Sequence, residues 1–293
     1  MPGGFFWLLS LLAQPAEPSA EKALVFGMTP VLGFESSQER FRPLAEHLAK
    51  QLDRPVELRV AESYGALIEE MLAGRVDLAK FSPLAYVRAR RRSAGIEPLV
   101  SQVANGSTTY SSYLVSIEGR EIRPLKQWRS ARLCFADPDS ASGYLMPAAY
   151  LLERGIQPFE HFVRVEFGGN HRNCLRGLFE GRYDLAATFA GAVRDARNAG
   201  LKVGELVMVA KAGRIPYDAY CVRADLPAAL KQRLRRIFLS TNTLTAEGRR
   251  VLEPTLGING WVEADDRLYD ELRRTEEMVR AELKPGHAPD RFP

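Results

Sequence analysis

Apolar residues along the chain recur in short blocks whose spacing switches between strand and helix rhythms. ALVFGM, residues 23–28, is an unbroken apolar run of strand length, and from Gln38 to Leu52 the residues Phe41, Leu44, Leu48 and Leu52 return at helical spacing. Val56 to Val60 reads as a second strand. Tyr64 to Leu72 repeats the helical pattern until Gly74 stops it, and VDLAKF opens a third strand that turns at Ser82-Pro83. The order βαβαβ predicts a mostly parallel sheet. After Tyr113 the same grammar restarts, with strands at Arg132–Ala136, Phe162–Phe167 and Tyr183–Phe189 and helices at Gly143–Arg154 and Asn173–Phe179. Two similar α/β units in series are expected. Strands at Glu205–Ala210 and Tyr217–Val222 and helices at Ala228–Ser240, Thr245–Leu252 and Asp266–Leu283 complete the chain.

A final helical block after two α/β units suits a chain that returns to cover its first unit. Residues 21–113 with 215–284 then make one lobe and 114–214 the other, with crossings near 112–115 and 212–216 and a hinged cleft between. Open α/β sheets bind ligands at the carboxyl ends of their strands, so residues at those ends are the candidates. They are Tyr64 after Val56–Val60, Phe81 and Ser82 after VDLAK, His171 after VRVEFGG, Thr188 after YDLAA and Asp218 after IPY. The segment CFADPDSASGYLMPAAYLL, Cys134 to Leu152, adds an Asp-Pro-Asp turn, two serines and a glycine where a helix begins. Amides in a first helical turn lack intrahelical partners and the dipole end is positive, so Ser140, Ser142 and Gly143 can wrap an oxyanion. Ser140 as a plain N-cap is the competing reading.

With 293 residues, 46% of them apolar, the chain can bury a sizeable core. Its 40 basic and 36 acidic residues leave a net charge of +4, suited to an anionic ligand but too mixed to specify nucleic acid. Arg88 to Arg92, the densest basic run, reads as a solvated helix end, and no zinc-knuckle, helix-turn-helix or RNA-binding signature accompanies it. Nucleic acid is therefore not an expected partner. Residues 1–20 have the apolar stretch and small-residue ending of a secretory signal, cleaved near Ala20, although no Lys or Arg precedes Phe5. The stretch is too short to span a bilayer, so a soluble exported protein with a flexible tail at 285–293 is expected. Cys134, Cys174 and Cys221 stand singly, either as buried thiols or as one disulfide and one odd cysteine. The four histidines are scattered without ligand spacing, and neither metal nor cofactor is expected.

DPDSASGYLMP, VDLAKFSPLAYV, GGNHRNCLRGLFEGRYDLAAT and IPYDAYCVR together resemble, in the same order, the phosphonate-binding substrate-binding proteins of ABC importers, over roughly Leu24 to Trp261. The resemblance implies a type II periplasmic-binding fold, α/β with two lobes and a ligand cleft between them. It also implies a periplasmic, non-enzymatic protein that captures phosphonate, phosphite or phosphate and delivers it to an inner-membrane permease. A sensing domain that partners a membrane histidine kinase has the same sequence features and stays open. By resemblance, Ser140, Ala141, Ser142, Gly143 and His171 hold the oxyanion, and Tyr64 and Tyr110 line the cleft from the other lobe. Ala141 replaces a threonine often found there. Asp218 matches an acid that receives the amine of aminoalkylphosphonates, while the glutamate expected beside it aligns near Gly191. Lys80 is a further departure, facing either the cleft or solvent; in the cleft, it favours an anion without an amine. An enzyme built on Ser140 or Ser142, His171 and Asp184 lacks a G-x-S-x-G elbow and is disfavoured.

Overall fold

The structure, a computed structural model, describes residues 22–119, 128–255 and 257–284. The predicted signal segment and the tail at 285–293 lie outside the described residues. The first unit runs β1 (Leu24–Met28), α1 (Phe34–Leu52), β2 (Val56–Val60), α2 (Tyr64–Leu72), β3 (Leu78–Phe81), α3 (Pro83–Arg92) and β4 (Ile96–Ala104). The second runs β5 (Thr109–Ile117), β6 (Arg132–Phe135), α4 (Met146–Leu152), α5 (Pro158–His161), β7 (Arg164–Phe167), α6 (His171–Phe179), β8 (Leu185–Phe189), α7 (Ala190–Asn198) and β9 (Leu206–Pro216). The chain returns through β10 (Ala219–Arg223), α8 (Ala228–Ser240), α9 (Ala246–Leu252), β11 (Ile258–Glu263) and α10 (Asp270–Glu282).

Two sheets result among the described residues. The six-stranded sheet has the order β11-β4-β10-β3-β1-β2, and the five-stranded sheet the order β7-β6-β8-β5-β9. Each holds a parallel trio, β2-β1-β3 and β7-β6-β8, as the periodicity predicts, but the remaining strands add antiparallel. The chain changes sheets at 105–108 and again at 217–218, where the sequence reading places the crossings at 112–115 and 212–216. The difference arises because β5 and β9 pair with each other along their whole length, from Thr109 opposite Pro216 to Ile117 opposite Leu206, and so both stay in the second sheet to their ends.

Packing follows the apolar stripes. Phe41, Leu44, Leu48 and Leu52 of α1 are buried with Leu24, Phe26 and Met28 of β1, Tyr220 and Trp261 in one cluster. A second cluster runs under both sheets, from Leu67 and Phe81 to Leu133, Phe135 and Leu185, with Leu272 and Val279 of α10. Helix α10 packs on α3 of the first unit and α4 of the second, so it clamps both. Arg88 is buried there, donating to Glu276 on α10 at 2.7 Å and to Asp139. The predicted solvated end is thus wrong for Arg88: a guanidinium removed from water is held by two carboxylates. Cys134 of β6 and Cys174 of α6 form a disulfide, and Cys221 is a buried thiol.

Candidate functional site

The Asp-Pro-Asp turn after β6 is built from its own polar groups. Asp137 Oδ1 accepts from the Asp139 amide at 2.8 Å and the Asp137 carbonyl accepts from the Ser140 amide at 3.0 Å. Asp139 is committed to Arg88. The predicted helix at 143–154 begins instead as a wide π-helical turn, Ala141–Leu145, in which the Leu145 amide donates to the Ser140 carbonyl at 3.1 Å. Pro147 lacks the N–H that would bond back to Gly143 in an α-helix. The Gly143 carbonyl accepts from the Ala136 amide instead, at 2.8 Å.

Both readings of Ser140 hold. Its Oγ caps the turn, accepting from the Gly143 amide at 2.9 Å, and it also lines the cavity. Because the oxygen accepts, the hydroxyl hydrogen remains to be donated. Ser140 Oγ and Ser142 Oγ lie 3.4 and 3.3 Å from His171 Nε2. The amides of Ala141 and Ser142 stand in the first turn, where no intrahelical acceptor exists. His171 opens α6, whose N-cap Asn170 accepts from the Asn173 amide at 2.9 Å. Burial lowers the His171 pKa from 6.5 to about 4, against a smaller opposing pull from the Ala187 carbonyl, so the imidazole is neutral at pH 7.

The first unit supplies the facing wall. Tyr64 is fully buried and its hydroxyl stands beside Ser140 without a hydrogen bond of its own. Burial, with Asp137 nearby, pushes its pKa well up. Tyr110, expected on this wall, belongs instead to β5 of the second unit, the sheet that also carries the serine turn, because β5 starts before the predicted crossing; it neighbours Ser142 and stacks on Tyr217 at 4.8 Å. Lys80 faces the cavity and its ammonium donates to Asp218, and the two residues are 6% and 9% exposed. The open question about Lys80 is resolved toward the cleft.

These groups enclose a cavity of about 60 Å³ between the two sheets. Of the predicted residues, Tyr64, Lys80, Ser82, Tyr110, Ser140, Ala141, Ser142, His171 and Asp218 line it. Phe81, Gly143 and Thr188 do not. Strand alternation turns Phe81 into the core, opposite to its neighbours Lys80 and Ser82. Gly143 has a spacing role, since a Cβ there would overlap Ala136 and stand 2.9 Å from His171 Cε1. Thr188 is fully buried inside β8, one residue before Phe189, which does reach the cavity. Gly191 lines it where a glutamate was expected. Sequence reasoning missed Thr29, Gln102, Arg194 and Tyr217. Thr29 and Tyr217 sit at strand ends and were findable by that rule, whereas Gln102 lies within a strand of mixed polarity. Asp184 is bound by Arg132 through its backbone amide and guanidinium, at the start of β8, so it does not orient His171.

Comparison with known proteins places the family and the fold. The family profile described as "ABC transporter, phosphonate, periplasmic substrate-binding protein" matches residues 26–269. A phosphate-import protein, PhnD, from Mycolicibacterium smegmatis is 29% identical over 246 residues, covering 80% of this chain and 72% of that protein. The binding-protein component of an ABC phosphonate transporter from Pseudomonas aeruginosa superposes with a TM-score of 0.82 at 23% identity, covering 88% of this chain and 86% of that one. PhnD1 from Prochlorococcus marinus, solved in complex with methylphosphonate, gives 0.79 at 19% identity, covering 88% and 98%.

Proposed function

The chain belongs to the phosphonate-type periplasmic substrate-binding family of ABC transporters, and from that premise we propose that its cavity captures a small phosphorus oxyanion and presents it to an inner-membrane permease. The observation that carries this reading is the convergence of Ser140 and Ser142 hydroxyls and His171 Nε2 at the start of a helical turn, in the cavity between the sheets. Helix-start amides and hydroxyl donors bind an oxyanion by hydrogen bonds, without a full opposing charge. The two sheet units act as lobes that hinge at 105–108 and 217–218 and close on the ligand. Binding requires no bond to be broken, and Asp184, the acid weighed for a hydrolytic triad, is held by the Arg132 guanidinium at the start of β8.

Size and charge narrow the class. The cavity, about 60 Å³, is small and suits a compact anion such as phosphate, phosphite or methylphosphonate. Asp218, the carboxylate among the described lining residues, is already paired with Lys80. An aminoalkylphosphonate must displace one buried ammonium with another, so ligands without an amine are favoured.

Calorimetric titration of the refolded protein with phosphate, phosphite, methylphosphonate, 2-aminoethylphosphonate and sulfate tests the reading. At least one of the first three is expected to bind at micromolar or tighter affinity, weakened about tenfold to a hundredfold by Ser142→Ala. No binding by any of the five contradicts it.

A further inference from the structure

The wall opposite the serine turn carries buried polar atoms with nothing to bond. Thr29 Oγ1, Ser82 Oγ and Gln102 Oε1 have no hydrogen-bond partner, their residues line the cavity, and these are 2%, 5% and 6% exposed. Register brings them together. Ala219 pairs with Phe81 on one side and Ser101 on the other, so the next row of the sheet aligns Ser82, Asp218 and Gln102. The Gln102 amide donates to the Asp218 carbonyl at 3.1 Å, and the Thr29 amide joins from β1 by donating to the Lys80 carbonyl at 3.3 Å. Ser82 occupies the N-cap position of α3 but makes no capping hydrogen bond, so its hydroxyl is left for the cavity.

Each unpaired buried polar atom carries a desolvation cost, and three on one wall call for a shared partner. We propose that Thr29, Ser82 and Gln102 form a hydroxyl-reading subsite, so that the preferred ligand is a phosphorus oxyanion bearing an OH group toward this wall, inorganic phosphate above all. The proposal rests on the oxyanion reading of the cavity and names its substrate. A carbonyl oxygen only accepts, whereas serine and threonine hydroxyls both donate and accept. One P–OH can donate to Gln102 and accept from Ser82 or Thr29. With three oxygens held at the serine turn, phosphate still has a fourth, as P–OH, for this wall, whereas phosphite and methylphosphonate have only P–H or P–CH₃ left to place there and leave all three atoms unpaired. Sites with buried polar groups discriminate strongly against analogues that cannot pair with them.

Titration of the wild-type protein with phosphate, phosphite and methylphosphonate, and of Thr29→Val/Ser82→Ala and Gln102→Met variants checked for folding by thermal unfolding, tests the subsite. Phosphate is expected to bind at least about tenfold tighter than the other two. The variants are expected to lose about tenfold or more for phosphate while methylphosphonate stays within about twofold. Methylphosphonate binding the wild type as tightly as phosphate overturns the proposal even where no variant folds, as does an equal loss of both ligands in the variants. Absence of binding by all three overturns the oxyanion reading and this subsite with it.

Discussion

Lys80 donates its ammonium to the carboxylate of Asp218 inside the cavity wall, and the Lys80 Nζ lies 5.3 Å from the centre of the Phe41 ring. The strands that carry the pair are neighbours, with Lys80 opposite Tyr220 in the β3–β10 ladder. Removing one member leaves the other buried and unpaired, which costs more than the pair itself contributes. Lys80→Met is expected to lower the unfolding free energy by about 3–5 kcal/mol, and Lys80→Met/Asp218→Asn to recover most of it. Urea unfolding of the three proteins checks this; a single variant as stable as wild type refutes the buried pair.

The parallel trios, α2 and α8 were legible because their apolar residues keep a period that burial enforces. Strands β4 and β5 were not. Their sequence, SQVANGSTTYSSYLVS across the changeover between sheets, puts Ser101, Gln102, Ser112 and Ser116 in buried positions, so alternation of polarity fails where the strands approach the cavity. The serine turn and His171 were readable from strand-end position and resemblance together. Phe81 and Gly143 misled for opposite reasons: alternation decides one, and close packing against Ala136 and His171 the other. The Lys80–Asp218 contact joins residues 138 positions apart, and no local pattern encodes it.

The disulfide between Cys134 and Cys174 ties the strand leading to the serine turn to the helix that begins with His171, so it spans the two halves of the oxyanion cradle. Closing a 40-residue separation stabilises by about 2–4 kcal/mol through the unfolded chain. Cys134→Ala/Cys174→Ala is expected to lower the melting temperature and to weaken oxyanion binding. Unchanged melting with and without reductant in the wild type contradicts the first expectation.

His171 makes the empty protein sensitive to acid. Its folded pKa of about 4 lies below the ordinary 6.5 because burial disfavours the charged ring. Between those values the unfolded chain binds a proton that the folded site refuses, so this contribution is fully present above pH 6.5 and is lost as pH falls toward 4, by about 3 kcal/mol. Stability measured at pH 7 and pH 4.5 should therefore drop further in wild type than in His171→Gln. Equal drops in the two proteins count against a neutral, buried imidazole.

Asp195 on α7 accepts from Ser36 and Arg40 on α1, each at 3.0 Å, and from Arg172 on α6 at 2.8 Å. It joins the two units at one side of the cavity, as Arg88 and Asp139 do at another. Asp195→Asn should favour the open state, raising the radius of gyration of the empty protein in solution scattering. If the closed population falls to about a tenth, apparent affinity falls about tenfold. A variant with wild-type scattering and affinity shows that the contact does not hold the lobes together.

The most direct test of the account is a crystal structure grown with the phosphorus oxyanion that binds most tightly. The anion is expected in the cavity between the sheets, with its oxygens about 2.7–3.1 Å from the Ser140 and Ser142 hydroxyls and the Ala141 and Ser142 amides, and with His171 in contact. An anion bound elsewhere, or a cavity that stays filled with water at saturating ligand, contradicts the account and returns the serine turn to the role of a helix cap.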